Sequence, residues 1–222
     1  MPVLAQSRPF PDWEWIQRNG DVIVERGIEH VQLTIMAVAI GFLIAFPLAV
    51  MASRHPRLQG PVLQVTGVLF TIPSLALFVA LVPLTGLSTA SALIPLTIYT
   101  LLILVRNTIA GLDSVPVEVV EAARAMGYRE TALLRSVQLP LALPVIIAGV
   151  RIATVTTIGL VVITALIGQG GWGQIILQGF QRQNLTPTLV GFILSVTLAV
   201  VLDIALVALE RRLSPWSKAA RG

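Results

Sequence analysis

Five stretches of about twenty predominantly apolar residues set the limits on this chain: 31–52, 61–82, 87–105, 147–167 and 187–209. A helix rises ~1.5 Å per residue, so about twenty residues cross a hydrocarbon core ~30 Å thick. Lipid offers no hydrogen bonds to backbone, which makes a helix the structure such runs can form. The expectation is an all-α polytopic membrane protein with five transmembrane helices. Composition agrees: 55% of residues are hydrophobic and 12% charged, with a mean hydropathy of +0.87. A soluble domain carries about twice that charged share. Pro47, Pro73 and Pro95 fall inside the first three runs. Membrane helices tolerate prolines where neighbours re-satisfy the freed carbonyls.

Orientation follows from the basic residues between the runs. One set of alternating connections holds Arg54, Arg57, Arg106, Arg124, Arg129, Arg135, Arg211, Arg212, Lys218 and Arg221. The other holds Arg8, Arg18, Arg26 and Arg182, while Arg151 lies inside the fourth run. The N-terminus is therefore expected outside and the C-terminus in the cytoplasm, in a prokaryotic cell (inner) membrane. Residues 1–30 carry three arginines against Asp12, Glu14, Asp21, Glu25 and Glu29, unlike a secretory signal. Trp13, Ile16 and Ile23 at helical spacing predict an amphipathic helix at the outer interface. The expected divisions are an N-terminal tail over 1–30, a permeating domain over 31–209 and a cytoplasmic tail over 210–222.

Several chemistries are excluded. There is no cysteine, hence no disulfide or thiolate metal site. His30 and His55 lie on opposite sides of the first apolar run, which argues against a shared zinc ion. All but one of the fifteen basic residues are arginine. The one lysine, Lys218, has no glycine-rich loop before it, so the chain has no P-loop and hydrolyses no ATP itself. The arginines are scattered along the chain, which fits membrane orientation and not nucleic acid.

The 106–140 connection is too long for a turn and too regular for a linker. Asp113 and Ser114 are able to cap a helix, and Pro116 suits its first turn. The residues from Val117 to Met126 are compatible with helix, and Gly127 stands where a left-handed C-terminal residue is wanted. A second helix over about 131–137 is expected to stop before Leu139-Pro140. The loop's four arginines balance Asp113, Glu118, Glu121 and Glu130. A neutral, small-residue-rich helix pair of this kind reads as a docking surface.

Glu121-Ala122-Ala123, three residues, Gly127, nine residues, then Val137-Gln138-Leu139-Pro140 resembles the EAA loop of ABC importer permeases. Valine replaces isoleucine at 137. The resemblance covers about residues 30–210 and implies that 115–126 is a coupling helix seated in a separate ATPase subunit. It assigns Glu121, Ala122, Ala123, Gly127, Leu139 and Pro140 to coupling. On that reading Ala122 and Ala123 permit close approach to the ATPase, and Gly127 shapes the turn. The resemblance also implies partners: cytoplasmic ATPase subunits holding ATP and Mg, a second permease chain (the same or a paralogue) and an extracytoplasmic substrate-binding protein. No cofactor is expected on this chain. Five spans with the N-terminus outside resemble the methionine-importer type of fold.

Phe70-Thr71-Ile72-Pro73-Ser74-Leu75-Ala76-Leu77-Phe78, Val105-Arg106-Asn107-Thr108 and the 167–173 segment are similar to osmoprotectant permeases. Those move glycine betaine, carnitine, choline or related quaternary amines, which makes Thr71, Pro73 and Ser74 candidate pathway residues. A permease for an amino acid such as methionine is the alternative, and a secondary transporter a further one. No aromatic cage for a quaternary ammonium group is evident in the spans. Asp203 is the one in-span carboxylate able to neutralise a cation. It continues the seam Gly191, Ser195, Ala199 at four-residue spacing, which places it against protein with Arg151 as its structural partner.

Overall fold

The computed structural model describes residues 11–215, and among these it contains helices and connecting turns but no strand. The short α1 (Trp13–Arg18) leads into α2, which runs from Gly20 to Arg54. Next come α3 (Pro56–Thr71), α4 (Ser74–Thr85), α5 (Thr89–Asp113), α6 (Val117–Ala125) and α7 (Glu130–Leu133). The described residues close with α8 (Leu139–Ile163), α9 (Trp172–Gln181) and α10 (Leu185–Leu213). Among the described residues, four segments are long and apolar enough to cross a membrane: α2, α5, α10 and the run Glu130–Ile167 that contains α8. With α3 and α4 counted as one bent span there are five, so the chain is an all-α polytopic membrane protein.

Three boundaries differ from expectation. The second apolar run is two helices, α3 and α4, meeting at 87°. The first span begins at Gly20, so Ile23 belongs to a membrane helix and only Trp13 and Ile16 to α1, which buries no residue. Trp13 is 66% exposed. The second loop helix does not stop before Leu139-Pro140. It passes through a π-helical turn, Leu134–Gln138, directly into α8. The wider turn, in which Leu139 N–H donates to the Leu134 carbonyl, makes room for a proline with no N–H to give. Of the predicted terminal tails, 1–10 and 216–222 lie outside the described residues.

α2, α5 and α8 form the core, and small residues let them approach. Ala37, Ala45, Ala49 and Ala52 of α2 are fully buried, the last three against Leu101, Leu104, Val105 and Ile109 of α5. A Cβ on Gly149 of α8 would stand 2.4 Å from the Asn107 side chain of α5. Membrane helices associate by such close packing, since lipid supplies no hydrophobic drive between them. α10 is peripheral, its buried residues being Thr186, Pro187, Gly191 and Ser195, all near its start.

The connections sort to two ends. At one, Ser53 Oγ and Gln59 Nε2 donate to Asp113 at 3.1 and 3.2 Å, and Arg54 Nη2 donates to the Glu130 carbonyl at 3.0 Å. Leu213 shares a recess with Arg135 and Pro140 at the same end. At the other, Asp12 N–H donates to Thr186 Oγ1 at 3.0 Å and Gly170 N–H to Glu29 Oε1 at 3.0 Å.

Candidate functional site

The 106–140 connection builds a knob on the arginine-rich end. Asp113 is the last residue of α5, and the Ser114 hydroxyl donates back to the Gly111 carbonyl at 2.7 Å. Both therefore finish the third span instead of capping α6, whose N-terminus has Pro116 in an extended conformation and no side-chain cap. The far end is more tightly specified. Gly127 has φ +85°. Its N–H donates to the Arg124 carbonyl at 2.9 Å, and Tyr128 N–H reaches the Ala123 carbonyl at 3.2 Å. This is the paired-bond C-terminus that requires a left-handed residue, and glycine adopts it without steric cost.

The nine residues of α6 divide into two faces. Val120 and Ala123 are buried with Leu112, Val115, Leu133, Ala142 and Ile146 beneath the membrane bundle. Glu121 and Ala122 point away and are exposed, with Val117, Val119, Met126 and Tyr128. Val117 at the start of α6 is 59% exposed and Met126 just past its end 71%. The two alanines thus do different work: Ala122 is open to a partner, whereas Ala123 is small because its own chain packs over it. The expectation that both serve the partner's approach is corrected for Ala123. An exposed ion pair, Arg124 Nε to Glu130 Oε1 at 3.1 Å, braces α6 against α7. Leu139 packs on the inner cluster, and Pro140 lines a recess with Arg135, Phe42 and Phe46.

Thr71, Pro73 and Ser74 sit at the bend between α3 and α4. Pro73 has no N–H for the preceding turn, and Ile72 is extended at φ −62°, ψ 128°. The Thr71 hydroxyl donates to the Val68 carbonyl at 2.7 Å, and the Tyr99 hydroxyl of α5 donates to the Ile72 carbonyl. Freed backbone is re-satisfied by a side chain at one place and by a neighbouring helix at the other. Thr71 and Pro73 are exposed and Ser74 is half-buried, so the bend faces away from this chain's core.

Arg151 of α8 meets Asp203 of α10. Nε and Nη2 donate to the two carboxylate oxygens at 2.8 and 3.0 Å. Glu210 stands nearby, its Oε2 3.8 Å from Nη1, a participant that the sequence reading missed because it looked like tail. The pair is not enclosed. Arg151 remains 30% and Asp203 35% exposed, because the small-residue seam is buried only at Gly191 and Ser195 and opens from Ala199 onward.

A second constellation went unread at the opposite end. Trp172 Nε1 donates to the Ile23 carbonyl at 2.8 Å, and His30 Nε2 lies 3.1 Å from the Ile158 carbonyl. Gly171 has φ +50°, and a Cβ there would stand 2.6 Å from the Arg26 carbonyl oxygen. The Trp172 and Gly171 contacts clasp the 168–173 loop onto α2, and the His30 contact ties α2 to α8. The sequence signal was the adjacent glycines before a tryptophan.

The family described as binding-protein-dependent transport system inner membrane component matches residues 37–215. The chain is 37% identical over 205 residues to the glycine betaine/carnitine/choline transport system permease protein OpuCD of Bacillus subtilis, across 92% of this chain and 90% of that protein. It is 38% identical over 202 residues to the osmoprotectant import permease protein OsmW of Salmonella typhimurium, across 89% of this chain and 94% of that protein. Among solved structures, a chain of the inward-facing MetNI methionine ABC transporter superposes with a TM-score of 0.77 at 26% identity. That match covers 86% of this chain and 96% of the other.

Proposed function

The chain belongs to the binding-protein-dependent transport system inner membrane components, and on that footing we propose that it conducts a quaternary-amine osmoprotectant across the membrane. It is the permease subunit of an ABC importer. The observation that carries the coupling mechanism is α6: a short helix anchored by Val120 and Ala123, whose outer face, the exposed tip of the knob, carries Glu121 and Ala122 with Val117 and Met126. A soluble ATPase subunit holding ATP and Mg grips this tip, and its closure is passed through α7 into α8 and through Asp113 into the 53–59 connection. Glu121, Ala122, Gly127, Leu139 and Pro140 make up the coupling set, with Ala123 as the inner anchor.

The arginine-rich end faces the cytoplasm, because positively charged connections are retained there. The N-terminus and the 168–186 segment lie outside, where a substrate-binding protein delivers solute. A second permease chain completes the path, since the bend at Thr71, Pro73 and Ser74 opens away from this chain's own core. The solute class rests on the 37–38% identity to relatives named for glycine betaine, carnitine, choline and osmoprotectant import. The 26% identity to the methionine transporter favours an amino-acid solute less.

The test is ATP-dependent uptake by proteoliposomes holding the complete importer, against a panel of glycine betaine, carnitine, choline and methionine. Uptake of one or more quaternary amines, suppressed by the others in excess, is expected. Uptake of methionine alone would overturn the solute class.

A further inference from the structure

Arg151 stands twelve residues from either end of α8, about 18 Å along the axis in each direction. The apolar runs begin at 147 and end at 209 at the arginine-rich end, so Arg151 and Asp203 stand four and six residues, about 6–9 Å, inside that edge of the hydrocarbon. The guanidinium has five N–H donors, of which Asp203 takes two. The half-open pair looks into a recess of about 470 Å3 walled by Ala148, Ile152, Val155 and Thr156. Charge at this depth faces protein or a water-filled cavity and not acyl chains. Its own chain covers the pair on one side only, and Ile152 beside it is 52% exposed.

We propose that this face of α8 and α10 lines the aqueous solute path, and that Arg151, Asp203 and Glu210 form a transit station for a solute bearing a quaternary ammonium group. Two carboxylates against one guanidinium leave the cluster with an excess negative charge. Ile152 and Val155 offer apolar walls to the methyl groups. No aromatic ring lines the recess, so cation–π attraction is absent and the solute is held by charge alone. Weak retention suits conduction, which needs a site that a solute can leave. The identity of the solute rests on the reading of the chain as a quaternary-amine permease. The exposure of the pair to water does not.

The chain has no cysteine, so a single Ile152→Cys reports on this face alone. In the complete importer in membranes, the permease is labelled with a cationic trimethylammonium-ethyl and an anionic sulfonatoethyl methanethiosulfonate. Both rates are divided by those for a free thiol. The cationic reagent is expected to react roughly three to ten times faster after this correction. Asp203→Asn, which removes the excess charge, should bring the ratio near unity. Glu210→Gln, which leaves the Arg151–Asp203 bonds intact, should lower it too and serves if Asp203→Asn does not assemble. No labelling by either reagent would mean that lipid or a sealed subunit contact covers this face. Equal corrected rates with all three charges present would show that the cluster does not select cations. Either result overturns the proposal. Absence of quaternary-amine uptake by the wild type would instead sink the solute reading, with the labelling result unaffected.

Discussion

Replacing Gly127 by valine isolates the backbone contribution to coupling. A Cβ at 127 meets nothing within 4 Å, so the substitution adds no clash with neighbours. What it adds is the cost of holding a branched residue at φ +85°. Left-handed backbone costs a residue with a Cβ about 1–2 kcal/mol, and most for a branched one. A penalty of that size shifts a two-state population by about 5- to 30-fold. The population at stake is the turn that aligns Gly127 N–H with the Arg124 carbonyl and Tyr128 N–H with the Ala123 carbonyl, and so sets the shape of the α6 tip. Insertion depends on span hydrophobicity and loop charge, neither of which changes. In proteoliposomes with matched permease, solute uptake and solute-stimulated ATP hydrolysis should therefore fall together, by up to roughly that factor. Gly127→Asn is the control, since asparagine visits this conformation routinely. Normal uptake by the valine variant, or equal loss in both variants, would refute the argument.

Other substitutions separate the two faces of α6 and probe the rest of the fold. Ala123→Leu overfills a site that is 2% exposed and should cost about 1–3 kcal/mol, seen as a lower Tm of the permease in detergent. Ala122→Leu on the exposed face should spare that Tm and weaken ATPase binding in a pull-down; a shared phenotype would contradict the division of faces. Gly171→Ala places a Cβ 2.6 Å from the Arg26 carbonyl and 2.8 Å from the His30 Cα, both on or beside backbone, at a positive φ. Its Tm should drop, and a wild-type value would show that the 168–173 clasp is loose. Native mass measurement of the intact importer should give two permease chains with two ATPase subunits, and one of each would count against a path shared between permeases.

The spans were legible because twenty-residue apolar runs have one outcome in lipid, and the helix of the 106–140 loop because Pro116 and Gly127 bracket it. The bend in the second run was not. Pro47, Pro95 and Pro144 sit inside unbroken helices, whereas Pro73 marks an 87° break. The break also involves an extended Ile72 and a hydroxyl arriving from Tyr99, twenty-seven residues away. Helical spacing placed Asp203 on a seam, yet it could not show that α10 drifts to the periphery after Ser195. Likewise Glu121, Ala122 and Ala123 are contiguous in sequence, and only the hundred-degree step of the helix separates the inner alanine from its neighbours. The continuous path from the second loop helix into α8 was hidden by Pro140, whose usual effect is to end a helix.

The central claim is that an ATPase subunit drives this permease through the outer face of α6. Ala122 is exposed there, and the absence of native cysteine allows Ala122→Cys to be cross-linked with a short thiol-to-amine reagent in the assembled importer. The account predicts an adduct between the permease and the ATPase, with none from Ile193→Cys, an exposed position on α10 far from the knob. An ATPase adduct from Ile193→Cys and none from Ala122→Cys would contradict it.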